Sequence, residues 1–135
     1  MTRPLPLSLA LAAVFTACGG GTPMPTPQDT RQVSSFNATL DDPSRCTCDN
    51  GLRTYGIRTL AAGRLDIVAT VQPAEARLVV RLMDNTINTV HAVSTQTGAT
   101  ARLGFDVVPA NYVVQVFLAS DGPRQATFTL EARYP

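Results

Sequence analysis

From residue 34 onward the chain alternates apolar and polar side chains with a period of two, the pattern of strands that bury one face. Phe36, Ala38 and Leu40 share one side of residues 34–40, and Tyr55 and Ile57 mark a weaker alternation across 53–59. The pattern is clearest at 64–72, with Leu65, Ile67, Ala69 and Val71 on one side, and at 76–83, with Leu78, Val80 and Leu82 opposed to Arg77, Val79 and Arg81. A weaker strand is expected at 88–94 around Val90 and Ala92, and stronger ones at 102–108 and 112–118. In the last of these Val113, Gln115 and Phe117 are nearly as apolar as Tyr112, Val114, Val116 and Leu118, which suits a central strand. Residues 126–133 close the series with Phe128, Leu130 and Ala132. Turn residues separate the segments at Asp49-Asn50-Gly51, Ala62-Gly63, Asp84-Asn85-Thr86, Gln96-Thr97-Gly98, Pro109-Ala110-Asn111 and Asp121-Gly122-Pro123. About eight strands at this spacing, with no helical periodicity, predict an all-β fold, a single antiparallel sandwich that is jelly-roll-like.

The first 33 residues follow other rules. One early charge, Arg3, precedes an apolar run from Leu5 to Phe15. That run is shorter than the roughly 20 residues a membrane-spanning helix needs, and it predicts a secretory signal over 1–17. Phe15-Thr16-Ala17-Cys18 resembles the lipobox of bacterial lipoproteins, although the family usually has an aliphatic residue where Phe15 stands. The resemblance implies diacylglycerylation of Cys18, which becomes the N-terminus after cleavage. Gly19 rather than Asp at the next position implies no inner-membrane retention, so the expected place is the outer membrane of the cell envelope. The alternative is an ordinary signal cut after Ala17 or within 10–13, with Cys18 an incidental thiol. Residues 18–33 then form a Gly/Pro-rich tether, with Pro23, Pro25 and Pro27 favouring extended chain. Residues 34–135 make the domain.

Composition narrows the function classes. All eleven basic residues are Arg, and ten of them lie after Cys18 together with all ten acidic residues, so the mature side chains sum to 10 − 10 = 0. That balance argues against nucleic acid and against electrostatic docking on anionic lipid. Trp is absent and aromatics are 6% of the chain, which counts against a carbohydrate platform.

Ala62-Gly63-Arg64-Leu65-Asp66-Ile67, then Ala76 to Asp84, then Val108-Pro109-Ala110-Asn111-Tyr112-Val113-Val114, and finally Phe128-Thr129-Leu130, together resemble the bacterial pre-peptidase C-terminal domain over roughly residues 34–133. The resemblance implies a jelly-roll-like sandwich. The family's acidic pair is replaced here by Ala76-Arg77 and Val79, a departure that counts against the calcium binding some members show. Its glycine before the tyrosine is Asn111, a residue able to take the left-handed turn conformation.

Cys46 and Cys48 form the one chemically pointed pair. At i and i+2 in extended chain both sulfurs face one side, and an oxidising compartment favours a disulfide, within the pair or to another chain. A metal site would need further ligands, and His91 is the sole histidine. Asp41, Asp42, Asp49 and Asn50 cluster around the same loop without the spacing of a calcium loop, and read as turn formers. No GxSxG, HExxH or placed carboxylate pair nominates a catalytic residue. The expectation is a non-enzymatic module without cofactor or metal, anchored to membrane lipid through Cys18, that binds an envelope protein or extracellular polymer. The alternatives are a structural envelope lipoprotein without specific ligand, and a redox or metal protein using Cys46 and Cys48.

Overall fold

The computed structural model describes residues 29–41 and 51–135. Nine strands run through them: β1 (Gln32–Leu40), β2 (Leu52–Thr59), β3 (Gly63–Gln72), β4 (Leu78–Asp84), β5 (Val90–Val93), β6 (Thr95–Thr97), β7 (Thr100–Val107), β8 (Ala110–Leu118) and β9 (Ala126–Tyr134). They form two antiparallel sheets, ordered β1-β9-β3-β7-β6 and β2-β8-β4-β5, packed face to face as a β-sandwich. The alternating positions do what their pattern requires. Leu65, Ile67 and Val71 of β3, Leu82 of β4, Val114 of β8 and Leu130 of β9 meet between the sheets, almost wholly removed from water. Each such aliphatic side chain contributes about 1.5–3 kcal/mol by its transfer from solvent.

Two details differ from the period-two reading. Residues 95–97 are a short ninth strand, where Gln96-Thr97-Gly98 reads as a break. The Gln96 amide sets it: Oε1 accepts the Leu78 N–H (2.8 Å), and Nε2 donates to the carbonyls of Ala76 (2.7 Å) and Gly98 (2.8 Å). Asn111 is likewise no turn residue. It lies inside β8 opposite Arg58, and the left-handed conformations among the described residues are at Ile87 and Gly98. β8 is indeed a central strand, with β2 and β4 on either side.

At one edge of the sandwich the chain crosses between the sheets, and at the other side chains bridge them. On one side β5 belongs to the four-stranded sheet and β6 to the five-stranded sheet. Ser94 stands between them and bonds the Val80 backbone in both directions, accepting through Oγ (2.9 Å) and donating through its N–H (2.8 Å). On the other side Phe36 of β1 stacks on Tyr55 of β2 at 4.1 Å between ring centroids, and Arg53 donates to the Thr39 carbonyl (3.3 Å).

The strands run from pole to pole. One pole, here the entry pole, holds the start of β1, the connections 60–62, 85–89 and 108–109, and Pro135. Leu60 N–H donates to the Pro135 carbonyl there (3.2 Å). The far pole holds 73–77, 98–99 and 119–125, and the ends of the β1–β2 connection.

Candidate functional site

Cys18, Cys46 and Cys48 lie outside the described residues, as do Asp42, Asp49 and Asn50. Asp41 is described, and accepts a hydrogen bond from Gln125 Nε2 (3.0 Å), tying two far-pole connections together. His91 is half-buried, stacked on Phe105 at 5.2 Å and edge-on to Tyr112 at 5.7 Å. Among the described residues no group of three His, Cys, Asp or Glu side chains is placed to hold a metal ion.

Where the chain enters β1, acidic groups are instead matched to arginines. Arg31 meets Asp29 and Asp66 (2.8 Å each), Arg64 meets Asp66 (3.4 Å) and Asp106 (3.3 Å), and Arg133 meets Glu131 (2.8 Å) and Asp29 (3.5 Å). The hydrogen bond from Arg31 holds the Asp29 carboxyl well below the usual carboxylate range, and the same bond raises Arg31. These groups are solvated, so they orient the entry of the chain more than they stabilise it.

The two outer faces of the sandwich contrast. The five-stranded face is polar: Asn37, Thr129, Thr70 and Thr100 lie in one cross-strand row, and Thr39, Thr127 and Gln72 in the next. Two shallow cavities of about 420 Å³ each lie on it.

The four-stranded face is more apolar, around a polar row. Register places Leu52, Phe117 and Val79 in one row, Thr54, Gln115, Arg81 and Val93 in the next, then Gly56, Val113, Met83 and Val90. All nine strands belong to the two sheets, so no described strand forms a third layer over it. Leu52, Val90 and Val93 are exposed at its margins, while Met83, Val113 and Gln115 are buried at its centre. Gly56, opposite Val113, leaves open space where a side chain would stand.

Two polar side chains stand at the centre of this face. The Arg81 guanidinium lies 4.4 Å from the Phe117 ring centroid, a cation–π contact, yet its buried Nε has no acceptor. Gln115, opposite Arg81 in register and only 7% exposed, makes no side-chain hydrogen bond with any described residue. Buried donors are usually satisfied, so the Arg81 Nε is a place where an incoming acceptor gains most. Alternation puts Arg81 on an outward face, but its meeting with Phe117 and Gln115 depends on β4 lying beside β8, which no local pattern encodes.

No protein-family model matches this chain. A comparison with curated proteins finds no match either. Among solved structures, the pre-peptidase C-terminal domain of collagenase from Bacillus anthracis aligns with a TM-score of 0.61 at 15% sequence identity, covering 73% of this chain and 87% of that one. In fold, the chain is similar to a pre-peptidase C-terminal β-sandwich.

Proposed function

We propose that the chain is a lipid-anchored lipoprotein of the bacterial envelope, held through Cys18 in the outer membrane. It presents a non-catalytic β-sandwich that binds another envelope protein by the outer face of its four-stranded sheet. The observation that carries the binding reading is the buried Arg81 Nε that lacks an acceptor, beside the buried Gln115 in a largely apolar surround. Interface hot spots have this make-up, an arginine and an aromatic anchor ringed by apolar contacts that exclude water. Among the described residues the face carries Arg58 and Arg81 and no carboxylate, so the partner it fits offers an apolar surface with an acidic group at its centre.

A photo-crosslinking residue placed at Val79 or Val93 tests this in cells. A discrete protein adduct is expected from those positions, reduced by Arg81→Glu, and none from Thr129 on the opposite sheet. Equal adducts from both faces, or indifference to Arg81→Glu, remove the reading. Intact mass without reductant tests the anchor: loss of residues 1–17 and added acyl mass on Cys18 are expected. The same spectrum reports whether Cys46 and Cys48 are two protons lighter, as a disulfide requires. Free thiols with retained metal would favour the redox or metal alternative.

A further inference from the structure

The connections at the entry pole carry an apolar side chain each, and they hold it in water. Leu60 between β2 and β3 is 66% exposed, Val108 between β7 and β8 is 60% exposed, and Ile87 between β4 and β5 is 47% exposed. The described far-pole connections carry no exposed large hydrophobic residue. The other exposed ones, Val33, Leu52, Val90 and Val93, lie on strands. The three entry-pole residues sit on a tied framework. Thr59, next to Leu60, donates to the Val108 carbonyl (2.6 Å), and Tyr112 Oη accepts the Val108 N–H (3.1 Å). Ile87 is held by its own turn, its N–H donating to the Asp84 carbonyl (3.1 Å) at a φ of 60°, a conformation that β-branched residues avoid.

We infer that the entry pole is a lipid-seating surface, with Leu60, Ile87 and Val108 entering the interface of the bilayer to which the chain is anchored. The inference rests on the anchor proposed above for its orientation. The chain runs from Cys18 to Asp29 in eleven residues, at most about 40 Å when fully extended, so the entry pole is the end kept nearest the lipid. The seating is apolar rather than electrostatic, because most carboxylates and arginines of this pole answer one another in the Asp29–Arg31–Asp66–Arg64–Asp106 chain of ion pairs, with Arg58 outside it. A membrane surface is favoured over a second copy of this chain by that direct continuity with the anchor. Interfacial side chains that enter a leaflet gain by burial of apolar area, and a tether keeps the opportunity at high effective concentration.

The chain has no Trp, so a single introduced one reports its own surroundings. Leu60→Trp, Val108→Trp and the far-pole variants Glu75→Trp and Ser120→Trp are made in the complete protein, purified from its membrane and reconstituted into phosphatidylcholine vesicles brominated on the acyl chains. The entry-pole tryptophans are expected to lose much of their emission and shift to the blue, and the far-pole ones to do neither. Salt and added phosphatidylglycerol are expected to leave the quenching unchanged. Equal quenching at both poles, quenching at neither, or quenching that appears only with phosphatidylglycerol overturns the inference. Concentration-dependent dimerisation with unquenched entry-pole tryptophans also overturns it, in favour of a second copy. The anchor fails separately: missing acyl mass with quenched Leu60→Trp removes the anchor and keeps the surface, while acyl mass with unquenched Leu60→Trp does the reverse.

Discussion

A few buried or capping polar groups fix the turns on which the surfaces depend. Thr59 is 2% exposed, and its hydroxyl accepts the Ala110 N–H (3.0 Å) while donating to the Val108 carbonyl (2.6 Å). Thr59→Val keeps the shape and removes the hydroxyl, leaving the part-buried Ala110 N–H without that acceptor and the Val108 carbonyl without that donor. The expected cost is about 1–3 kcal/mol in urea unfolding, and an unchanged midpoint would show that the turn has another means of support. Asp84 does comparable work at the β4–β5 connection. Its Oδ2 accepts the Thr86 hydroxyl (2.7 Å), and its Oδ1 accepts the N–H groups of Asn88 (2.9 Å) and Thr89 (3.2 Å). The Thr86 bond, followed by that from Thr89, lowers its pKa in the fold. A carboxyl depressed by folding stabilises fully above its unfolded value near 4, and the contribution fades as pH falls through the folded value. The Tm difference between wild type and Asp84→Ala is therefore expected to hold from pH 7 to about 5 and to narrow below about 4. A constant difference down to acid pH would assign the effect to packing.

At the scale of the element, the same connection sets stability against surface chemistry. Ile87 is exposed and left-handed, a conformation costing an L-residue about 1–2 kcal/mol, and Asn tolerates it best among non-glycine residues. Ile87→Asn is expected to raise stability by about 1 kcal/mol and to weaken lipid seating, a trade that chemical unfolding and vesicle quenching measure side by side. A variant no more stable than wild type would remove the strain from the account. Connections of this kind are also where sequence reading stops. β3, β4, β8 and β9 are legible because alternating burial is a local property, and Leu65, Leu82, Val116 and Leu130 point where the period says. β6 has no apolar residue, and Gln96 holds it through backbone groups of Ala76 and Leu78, far away in sequence. Asn111 reads as a turn former, yet its register with Arg58 draws it into β8. The outer face of the four-stranded sheet was half legible: Val113 and Phe117 marked β8 as apolar on both sides, but strand order β2-β8-β4-β5 was needed to set Arg81 beside Gln115. The exposed apolar triad was illegible, since Leu60, Ile87 and Val108 become one surface only when three connections share a pole. Cys18, Cys46 and Cys48 carried the sharpest chemistry of the sequence, and they lie outside the described residues.

For the whole molecule, the two surfaces set each other's geometry. Strands run from the entry pole to the far pole, so a sandwich seated by its entry pole stands upright on the lipid, and its four-stranded face looks along the membrane plane. A partner for Arg81 and Gln115 then approaches from the side, as another envelope-bound protein would. Height above the bilayer separates this arrangement from a domain swinging on its tether. If Leu60, Ile87 and Val108 seat the pole, inserting a flexible Gly/Ser segment after Gly21 leaves the far pole at constant height, because side-chain contact sets the distance and tether length does not. A freely swinging domain would rise and spread as its tether grows, with end-to-end distance increasing as about the square root of length. Energy transfer from Glu75→Trp to an acceptor on the lipid headgroups reads that height. Transfer efficiency is expected to stay unchanged on insertion in the wild-type background, and to fall with each longer insertion once Leu60→Ser and Val108→Ser are introduced. Tm measured on each insertion variant separates a loss of transfer through position from one through unfolding. A far pole that rises with tether length in the unaltered domain would mean that the entry pole does not rest on lipid, and that its exposed triad faces something else.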